Sequence, residues 1–190
     1  IDQGIIDGVI WSLVKIYHED VPSNISLSNG TILESSNILQ NKHPHIHVTN
    51  FAPQFALLNQ TNVKLFFSHG GAGSSHESIY AAKPMLLLPI AFDQMGNAEK
   101  LESAGVALAV SKLDLSVQDI HSKIKKLQAD ESIQVNVRRM QVLARINSKR
   151  KYRAADLIEF LLLASQLNNK DEYVEEEEGV VNNDDTFVAE

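Results

Sequence analysis

The chain has 190 residues, of which 44% are hydrophobic and 22% charged, as expected of a soluble globular domain with a sizeable core. It contains no cysteine, which excludes disulfide frameworks, thiolate nucleophiles and cysteine-ligated metals. No apolar run approaches the roughly 18 residues needed to cross a bilayer. The sequence does not begin with Met and has no basic-then-apolar leader, so we expect a fragment or a processed product.

The formal net charge of −7 is concentrated at the C-terminus. Residues 171–190 hold nine acidic residues and no Lys or Arg, so the rest of the chain carries a net charge of +2. A segment with one charge sign and few apolar side chains is typical of disorder. We therefore predict a folded domain over residues 1–167 and an acidic, disordered tail over residues 168–190.

The N-terminal part alternates short apolar segments with polar ones. Residues 1–7 look like the end of a helix, and residues 9–14 are rich in β-branched and aromatic side chains, which predicts a strand. Residues 20–42 contain Pro, Ser, Asn and Gly, which indicates a loop with at most one helical turn. A second strand is predicted at residues 46–49, and a short helix is predicted to begin near Phe55.

Two continuous apolar runs follow, at residues 64–68 and 85–89. Continuous rather than alternating apolar residues are typical of strands that are covered on both faces. A helix over residues 97–104, a fifth strand over 106–110 and a helix from Val117 continue the alternation. The pattern predicts an α/β fold with a mostly parallel sheet and helices on both faces.

The last part of the predicted domain is rich in helix-forming residues. Ser116 and Asp119 are spaced as a capping pair, and residues 131–167 read as helix with a break near residues 147–151. Seven basic residues in this segment could suggest nucleic acid, but only one aromatic residue is interleaved with them. We interpret them as a solvated helix face and expect no nucleic-acid partner.

The histidine-rich segment at residues 43–47 is a candidate for a metal site. His45 and His47 would lie on one face of a strand, because the side-chain period of a strand is 2. No carboxylate or third ligand stands at a suitable spacing, so a polar strand end is the favoured interpretation. We therefore predict no metal site.

The stretch over residues 65–97 contains most of the candidate ligand-binding residues. His69 ends an apolar run, and a glycine-rich loop and a helix start follow it. Such a loop lets backbone N–H groups approach a phosphate, and a helix N-terminus adds about half a positive charge. Ser74, Ser75 and His69 can donate hydrogen bonds to the same oxygens. No Lys follows the glycines, which disfavours an ATP-hydrolysing P-loop.

Other positions have both a structural and a ligand interpretation. The spacing of Ser74 and Glu77 fits a capping box, and a ligand contact by Glu77 is an equally good interpretation. Asp93 and Gln94 together accept and donate hydrogen bonds, which suits a hydroxyl-rich ligand, but turn chemistry before a helix explains the pair as well. Phe51 lies at the end of a strand and is either a core residue or a stacking surface for a base.

Taken in order, these residues resemble the signature of the UDP-glycosyltransferase family. The resemblance covers about residues 5–165 and is specific over residues 51–97, where its details look most like fungal members. It implies the C-terminal, donor-binding half of the GT-B fold, a Rossmann-like domain, incomplete at its N-terminus because the first strand lies outside this sequence. The matching positions are 51–54 (FAPQ), Leu57, Leu58, 66–71 (FFSHGG), Glu77, Pro84, Pro89, Asp93 and Gln94.

The resemblance implies a role for each matching position. Phe51 would stack on uracil, Gln54 would reach the uridine and Glu77 would hold the ribose hydroxyls. The glycine loop and His69 would bind the diphosphate, although this loop has Ala72 and Gly73 where plant members carry Trp and Asn. The implied donor-binding residues are Phe51, Gln54, Ser68, His69, Gly70, Gly71, Gly73, Ser74, Ser75, Glu77, Asp93, Gln94 and Asn97.

The resemblance also implies what this chain leaves to another domain. In the family, the acceptor pocket and the catalytic His belong to the N-terminal half, so no catalytic residue is assigned here. We expect the parent to move a sugar from a UDP-sugar to a small lipophilic or hydroxyl-bearing acceptor, with inversion, with no cofactor and no required metal. The fragment alone should be inactive, since its partner domain is absent.

Three alternatives remain open. A sterol glucosyltransferase shares the HGGAG loop at residues 69–73. A non-catalytic nucleotide-sugar-binding subunit would complete its site with another polypeptide. A plain Rossmann-like domain would use the same glycines and histidines structurally. The compartment is also open, between the endoplasmic reticulum membrane, reached through segments outside this sequence, and the cytoplasm; the sugar and the acceptor are not identified.

Overall fold

The computed structural model describes residue 1 and residues 4–14, 21–27 and 29–178, with side chains up to residue 167. These residues divide into two compact units, Ile1–Ala144 and Arg145–Glu190, with residues 179–190 outside the described part. The domain boundary at residue 167 stays a prediction. In chain order, the elements are β1 (Val9–Ser12), β2 (Asn24–Ser26), β3 (Ile32–Glu34), α1 (Ser35–Leu39), β4 (Ile46–Thr49), α2 (Gln54–Leu58), β5 (Phe66–Ser68), α3 (Ala72–Tyr80), β6 (Met85–Leu87), α4 (Gln94–Ser103), β7 (Ala107–Ala109), α5 (Val117–Ala129), α6 (Glu131–Ser148) and α7 (Arg150–Glu178).

The parallel strands lie in two sheets. β1 pairs with β4, with Val9 opposite Ile46. β5, β6 and β7 form a three-stranded sheet in that order, with Met85 of β6 between Phe66 and Ala107. The orders β4-β1 and β5-β6-β7 correspond to positions 3-2 and 4-5-6 of the doubly wound order 3-2-1-4-5-6. Position 1 of that order lies between β1 and β5, and no strand of the described residues occupies it. The first strand, which is predicted to lie outside this sequence, stays a prediction.

Strand β6 is the centre of the core, and it is covered on both faces. Met85, Leu86 and Leu87 are fully buried. Because side chains alternate along a strand, Met85 and Leu87 pack in one cluster, which includes Ile79 of α3 and Leu101 of α4. Leu86 packs in a second cluster, on the side of α5. The predicted α/β fold with a parallel sheet between two helix layers is confirmed at β6. The prediction that β5 is also covered on both faces is wrong, because Phe67 at its centre is 51% exposed.

The N-terminal segment differs from its prediction in two ways. Among the described residues of the segment 1–8, the backbone forms no helix. The predicted loop over residues 20–42 contains the antiparallel hairpin β2-β3, whereas the five-residue helix α1 agrees with the single helical turn predicted there. Asn41, at a φ of 58°, covers the outer edge of β4, because its side-chain amide donates to the Val48 carbonyl and accepts from the Val48 N–H. The hairpin was not predicted because β2 and β3 are three residues long and mostly exposed, so the hydrophobic pattern that reveals buried strands is missing.

The caps of the helices after β6 lie where the sequence predicted them, although α4 begins at Gln94 and not at the predicted Asn97. Gly105 follows α4 at a φ of 66°, and the Ser116 hydroxyl accepts a hydrogen bond from the Asp119 N–H at 3.2 Å to cap α5. Helix α6 ends at Ser148 and α7 begins at Arg150, as the predicted break requires. Helix α7 continues to Glu178, and the acidic, disordered tail over residues 168–190 stays a prediction. Glu is a good helix former, and a one-sign charge run does not by itself prevent a helix.

No helix among the described residues is long and apolar enough to cross a membrane.

Candidate functional site

The site is built where the parallel strands end and their loops begin. Parallel strands carry their ligand loops at their carboxyl ends, here after β4, β5 and β6. Helix α2, which follows the first of these loops, is held against α3 by the rings of Phe55 and Tyr80, whose centroids are 5.6 Å apart. Leu58 of α2 is buried. The packing of α2 on α3 brings together side chains that are more than twenty residues apart in sequence.

Gln54, Ser74 and Glu77 form one hydrogen-bonded group across these two helices. The Gln54 Nε2 donates to Glu77 Oε2 at 2.8 Å and to Ser74 Oγ at 3.3 Å. The capping box suggested for Ser74 and Glu77 is wrong, because α3 begins at Ala72 and its N-cap is Gly71. The Glu77 carboxylate therefore lies in the second turn of the helix. It is half-buried and turned toward Gln54 rather than toward the helix end.

Phe51 is exposed, which excludes its interpretation as a core residue. Its side chain is 76% exposed although its backbone is fixed. The Thr49 hydroxyl donates to the Phe51 carbonyl at 2.9 Å and accepts from the Phe51 N–H at 3.3 Å. An aromatic ring that is exposed on a fixed backbone is suited to stacking. Thr49 was missed by the sequence reasoning; a hydroxyl two residues before Phe51 is the signal that could have indicated this turn.

The glycine loop turns sharply at Gly70. Gly70 is buried at a φ of 85°, a conformation that an L side chain would strain. Its N–H donates to the Ser68 hydroxyl at 3.3 Å, which gives Ser68 a role in the loop itself. A Cβ added to Gly71 would lie 2.5 Å from His69 Nε2, so the exposed imidazole lies directly over the Gly71 α-carbon. The absence of a side chain at residue 71 is what allows His69 this position.

The first turn of α3 is open to a ligand. No side chain of the described residues caps this helix N-terminus, so its N–H groups remain available with their positive potential. A Cβ added to Gly73 would meet no atom within 4 Å, so a ligand can approach closely there. The Ser75 hydroxyl is buried and has no partner among the described residues. A buried hydroxyl without a partner costs free energy, which a ligand oxygen would recover.

The loop after β6 is tied to the glycine loop through Asn97. The Asn97 Nδ2 donates to the Gly70 carbonyl at 3.0 Å and to Asp93 Oδ2 at 2.8 Å. Asp93 is exposed and precedes α4 without capping it, so turn chemistry does not account for its side chain. Asn97 therefore holds the Asp93 carboxylate beside the loop that could bind a phosphate.

Gln94 holds the backbone of its own loop. Its Oε1 accepts from the N–H groups of Ile90 at 2.8 Å and Ala91 at 3.1 Å. The Lys112 Nζ, from the loop after β7, donates to the Ile90 carbonyl. Lys112 was also missed by the sequence reasoning, since nothing in the local sequence marks a contact 22 residues away. The Gln94 Nε2 donates to no group of the described residues and can meet a ligand.

The other candidate features contain none of the predicted site residues. Among the described residues, no group of three or more His, Asp and Glu side chains could hold a metal ion. The His43 and His45 rings contact each other edge-on, with their centroids 6.0 Å apart. Two clefts, of about 450 and 710 Å³, lie between the β2-β3 hairpin, α1 and the loops beside them. The structure therefore gathers the predicted residues at the loop edge and not in these clefts.

Comparison with known proteins identifies the family. A family model described as UDP-glucoronosyl and UDP-glucosyl transferase matches residues 9–162. A UDP-glycosyltransferase of Talaromyces amestolkiae is 36% identical over 182 residues, which are 92% of this chain and 34% of that protein. UDP-glycosyltransferase 1 of Phaeomoniella chlamydospora is 41% identical over 164 residues, which are 86% of this chain and 31% of that protein. The chain thus spans about a third of the length of the curated relatives it matches.

A solved structure agrees with the sequence comparisons. The glycotransferase of kitacinnamycin has a TM-score of 0.57 and 30% sequence identity to this chain. The similarity covers 62% of this chain and 30% of that one. This structural neighbour is a glycosyltransferase of the GT-B type. The chain belongs to the UDP-glycosyltransferase family, and its fold is that of the Rossmann-like C-terminal domain of these enzymes.

Proposed function

We propose that this chain binds the donor of an inverting glycosyltransferase, which transfers a sugar from a UDP-sugar to an acceptor hydroxyl. The observation that carries the proposal is the hydrogen-bonded pair of Gln54 and Glu77 next to the uncapped N-terminus of α3. A nucleoside offers a polar base edge and two ribose hydroxyls, which suit a carboxamide and a carboxylate. A diphosphate requires N–H donors immediately beside them.

The donor would lie across three loops. Phe51 stacks on the uracil, Gln54 reaches the uridine and Glu77 accepts from the ribose hydroxyls. The diphosphate lies at the first turn of α3, where the backbone N–H groups, the Ser75 hydroxyl and the His69 imidazole stabilise the charge that develops on the departing UDP. These donors act without an obligatory metal ion and without a cofactor.

The sugar would lie at the loop after β6. Asp93 accepts from sugar hydroxyls, the Nε2 of Gln94 donates to them, and Asn97 fixes the position of Asp93. Carboxylate and carboxamide groups contact hydroxyls common to several hexoses, so the proposal names a hexosyl donor and no particular sugar. The two curated relatives described above are each named a UDP-glycosyltransferase, which supports a UDP-sugar as the donor.

The acceptor and the general base are assigned to a partner domain of the same longer protein. The relatives are about three times as long as the aligned part of this chain, which leaves room for an N-terminal acceptor domain. We therefore place the base that deprotonates the acceptor outside residues 1–190. The chain alone should bind UDP weakly and transfer no sugar, and detectable transfer by it would contradict this division of labour.

The alternatives have no observation in their favour. Neither a sterol acceptor nor a non-catalytic subunit is supported by any contact of the described residues. An acceptor panel, assayed with the full-length protein, tests the first. Co-purification with a separate acceptor-binding polypeptide tests the second. The cellular location is proposed to be set by segments outside this chain, either at the endoplasmic reticulum membrane or in the cytoplasm.

Titration with UDP and UDP-glucose, followed by the amide signals of the labelled chain, tests donor binding. We expect saturable shifts at residues 70–75 and at the Gln54 side-chain amide, in a buffer containing EDTA. ADP has the same diphosphate but a different base, so it should bind more weakly than UDP. If no signal in residues 70–75 moves at saturating UDP, the loop is structural and the plain Rossmann-like alternative is correct.

A further inference from the structure

We propose that Phe92 is a specificity-determining residue, whose ring contacts an apolar, aromatic acceptor beside the donor sugar. This inference rests on the proposed function and extends it to the class of acceptor. Phe92 is 94% exposed, although it is a large apolar side chain. It lies between β6 and α4, immediately before Asp93.

The backbone of Phe92 adopts a conformation that its side chain disfavours. Its φ of 58° lies in the left-handed region, where L-residues other than Gly, Asn and Asp are uncommon. A residue is kept in such a conformation only when the surrounding structure determines it, and such residues cluster at ligand-binding sites. A glycine at this position would relieve the strain but would place no ring at the surface.

The neighbouring contacts fix the loop on both sides of Phe92. On the N-terminal side, Gln94 Oε1 accepts from the N–H groups of Ile90 and Ala91, and Lys112 donates to the Ile90 carbonyl. On the C-terminal side, the Asn97 side chain donates to Asp93. These hydrogen bonds hold the backbone of the loop in place, so the exposure of the ring is a fixed feature of the fold.

The same contacts place the ring at the edge of the donor site. Asn97 joins Asp93 to the Gly70 carbonyl, so the residue after Phe92 is tied to the loop that is proposed to bind the diphosphate. In an inverting transfer the acceptor hydroxyl must approach the sugar on the side opposite to the departing UDP. An exposed ring next to the sugar is suited to contacting the apolar part of that acceptor.

Acceptor kinetics of the full-length protein test this inference. The probe is 2-naphthol, an aromatic alcohol with a single hydroxyl, with UDP-glucose as the donor. Phe92→Ala should raise the KM for 2-naphthol about tenfold, which corresponds to about 1.4 kcal/mol. Phe92→Leu should recover most of the loss because it restores apolar bulk. Val142→Ala removes an exposed apolar side chain of α6, outside the site, and should change nothing.

Two further measurements separate the outcomes. UDP affinity should be the same in wild type and in Phe92→Ala, because the ring contacts the acceptor and not the nucleotide. Absence of UDP binding in wild type would refute the proposed function itself. If wild type binds UDP but uses no aromatic alcohol, or Phe92→Ala keeps the wild-type KM, the inference about Phe92 is refuted while donor binding stands. An equal loss for aromatic acceptors and for glycerol, with a lowered Tm, would show that Phe92 packs against protein instead and would also refute it.

Discussion

Gln54 Nε2 donates to Glu77 Oε2 at 2.8 Å, although the two residues are 23 positions apart and lie on different helices. The bond is charge-assisted, since the acceptor is a carboxylate, and it is part-buried. It orients both side chains before any ligand arrives. Such preorganisation lowers the entropic cost of binding.

Gln54→Ala should therefore affect both stability and nucleotide affinity. We expect a loss of about 1 kcal/mol in the free energy of unfolding, since one part-buried hydrogen bond is removed. UDP affinity should fall about tenfold or more, because the proposed contact with the uridine is removed and Glu77 loses its orientation. Gln60→Ala is the matched control, since the Gln60 side chain is exposed and bonds only within its own turn, to the Ala56 carbonyl. Urea unfolding and UDP titration of both variants measure the two effects; equal UDP affinity in both would count against the uridine pocket.

His69 and Gly71 should behave as a single unit. A methyl group on residue 71 would displace the imidazole, since the added Cβ lies 2.5 Å from Nε2. We expect Gly71→Ala and His69→Ala to weaken UDP binding by similar factors, and the double variant to lose little more than either alone. Two independent contacts would instead give additive losses in free energy. Isothermal titration of UDP into wild type, the two single variants and the double variant completes this double-mutant cycle. Additive losses in binding free energy would show that the two residues act independently.

Gly73→Ala should separate helix stability from ligand binding. Gly73 lies in α3, and a Cβ there meets no atom within 4 Å, so alanine should stabilise the helix by about 0.5 kcal/mol. UDP affinity should nevertheless fall, because the methyl group would occupy the space where the diphosphate is proposed to approach. Gly96→Ala is equally open and also helical, so it should stabilise without this loss. If Gly73→Ala and Gly96→Ala bind UDP alike, the phosphate does not lie against residue 73.

Asn97→Asp should reduce the discrimination between UDP-glucose and UDP. The change removes the donor to Gly70 and Asp93 and places a second carboxylate beside the Asp93 carboxylate, which is repulsive. Asp93 should therefore move away from the glycine loop. We expect the affinity for UDP-glucose to fall toward that for UDP, whereas UDP itself binds almost as in wild type. Parallel titrations with the two ligands give the ratio of the affinity for UDP-glucose to that for UDP. An unchanged ratio would show that the sugar does not bind at this loop.

The titration of Lys83 should make the free energy of unfolding depend on pH in the alkaline range. Burial, followed by the neighbouring charge of Lys64, lowers the pKa of Lys83 from its ordinary value of 10.5. The folded state then binds fewer protons than the unfolded state between the two pKa values, so stability should rise as the pH rises toward 10.5.

Lys83→Gln should flatten this rise, because Gln keeps a donor for the Gln60 carbonyl without titrating. Lys64→Gln should reduce it in part, since only the second cause of the shift is removed. Urea unfolding of the three proteins at several pH values above about 8 gives the slopes. Parallel curves for wild type and Lys83→Gln would show that Lys83 does not carry the dependence.

The sequence predicted the central sheet because burial left a clear pattern in it. The runs that became β5 and β6 are continuous and apolar, and in the structure Met85, Leu86 and Leu87 of β6 are fully buried. The hairpin β2-β3 left no such pattern, since its strands have three residues each and are mostly exposed. Strand pairs of this kind are stabilised by their partner across the hairpin, which local composition does not reveal.

The site residues could be predicted by type but not by contact. The spacing of Ser74 and Glu77 is the same in a capping box and in a helix that starts earlier, and only the partner Gln54 separates these cases. The left-handed backbone of Phe92 was equally hidden, since no Gly or Asn stands there to indicate it. Tertiary contacts decide both features, and a local sequence pattern does not contain them.

The two hydrogen bonds that Gln94 accepts from Ile90 and Ala91 also fix the direction in which its carboxamide can recognise a ligand. Two backbone N–H groups need an acceptor, so Oε1 must face the loop and only the NH₂ group remains for a sugar. The Asp93 carboxylate beside it can only accept. At the proposed sugar site, one sugar hydroxyl would therefore donate a hydrogen bond, to Asp93, and its neighbour would accept one, from Gln94. An ether, fluoro or deoxy group in place of the first hydroxyl removes the proton that the sugar would donate to Asp93, whereas a fluorine or ether oxygen in place of the second still leaves Gln94 an acceptor.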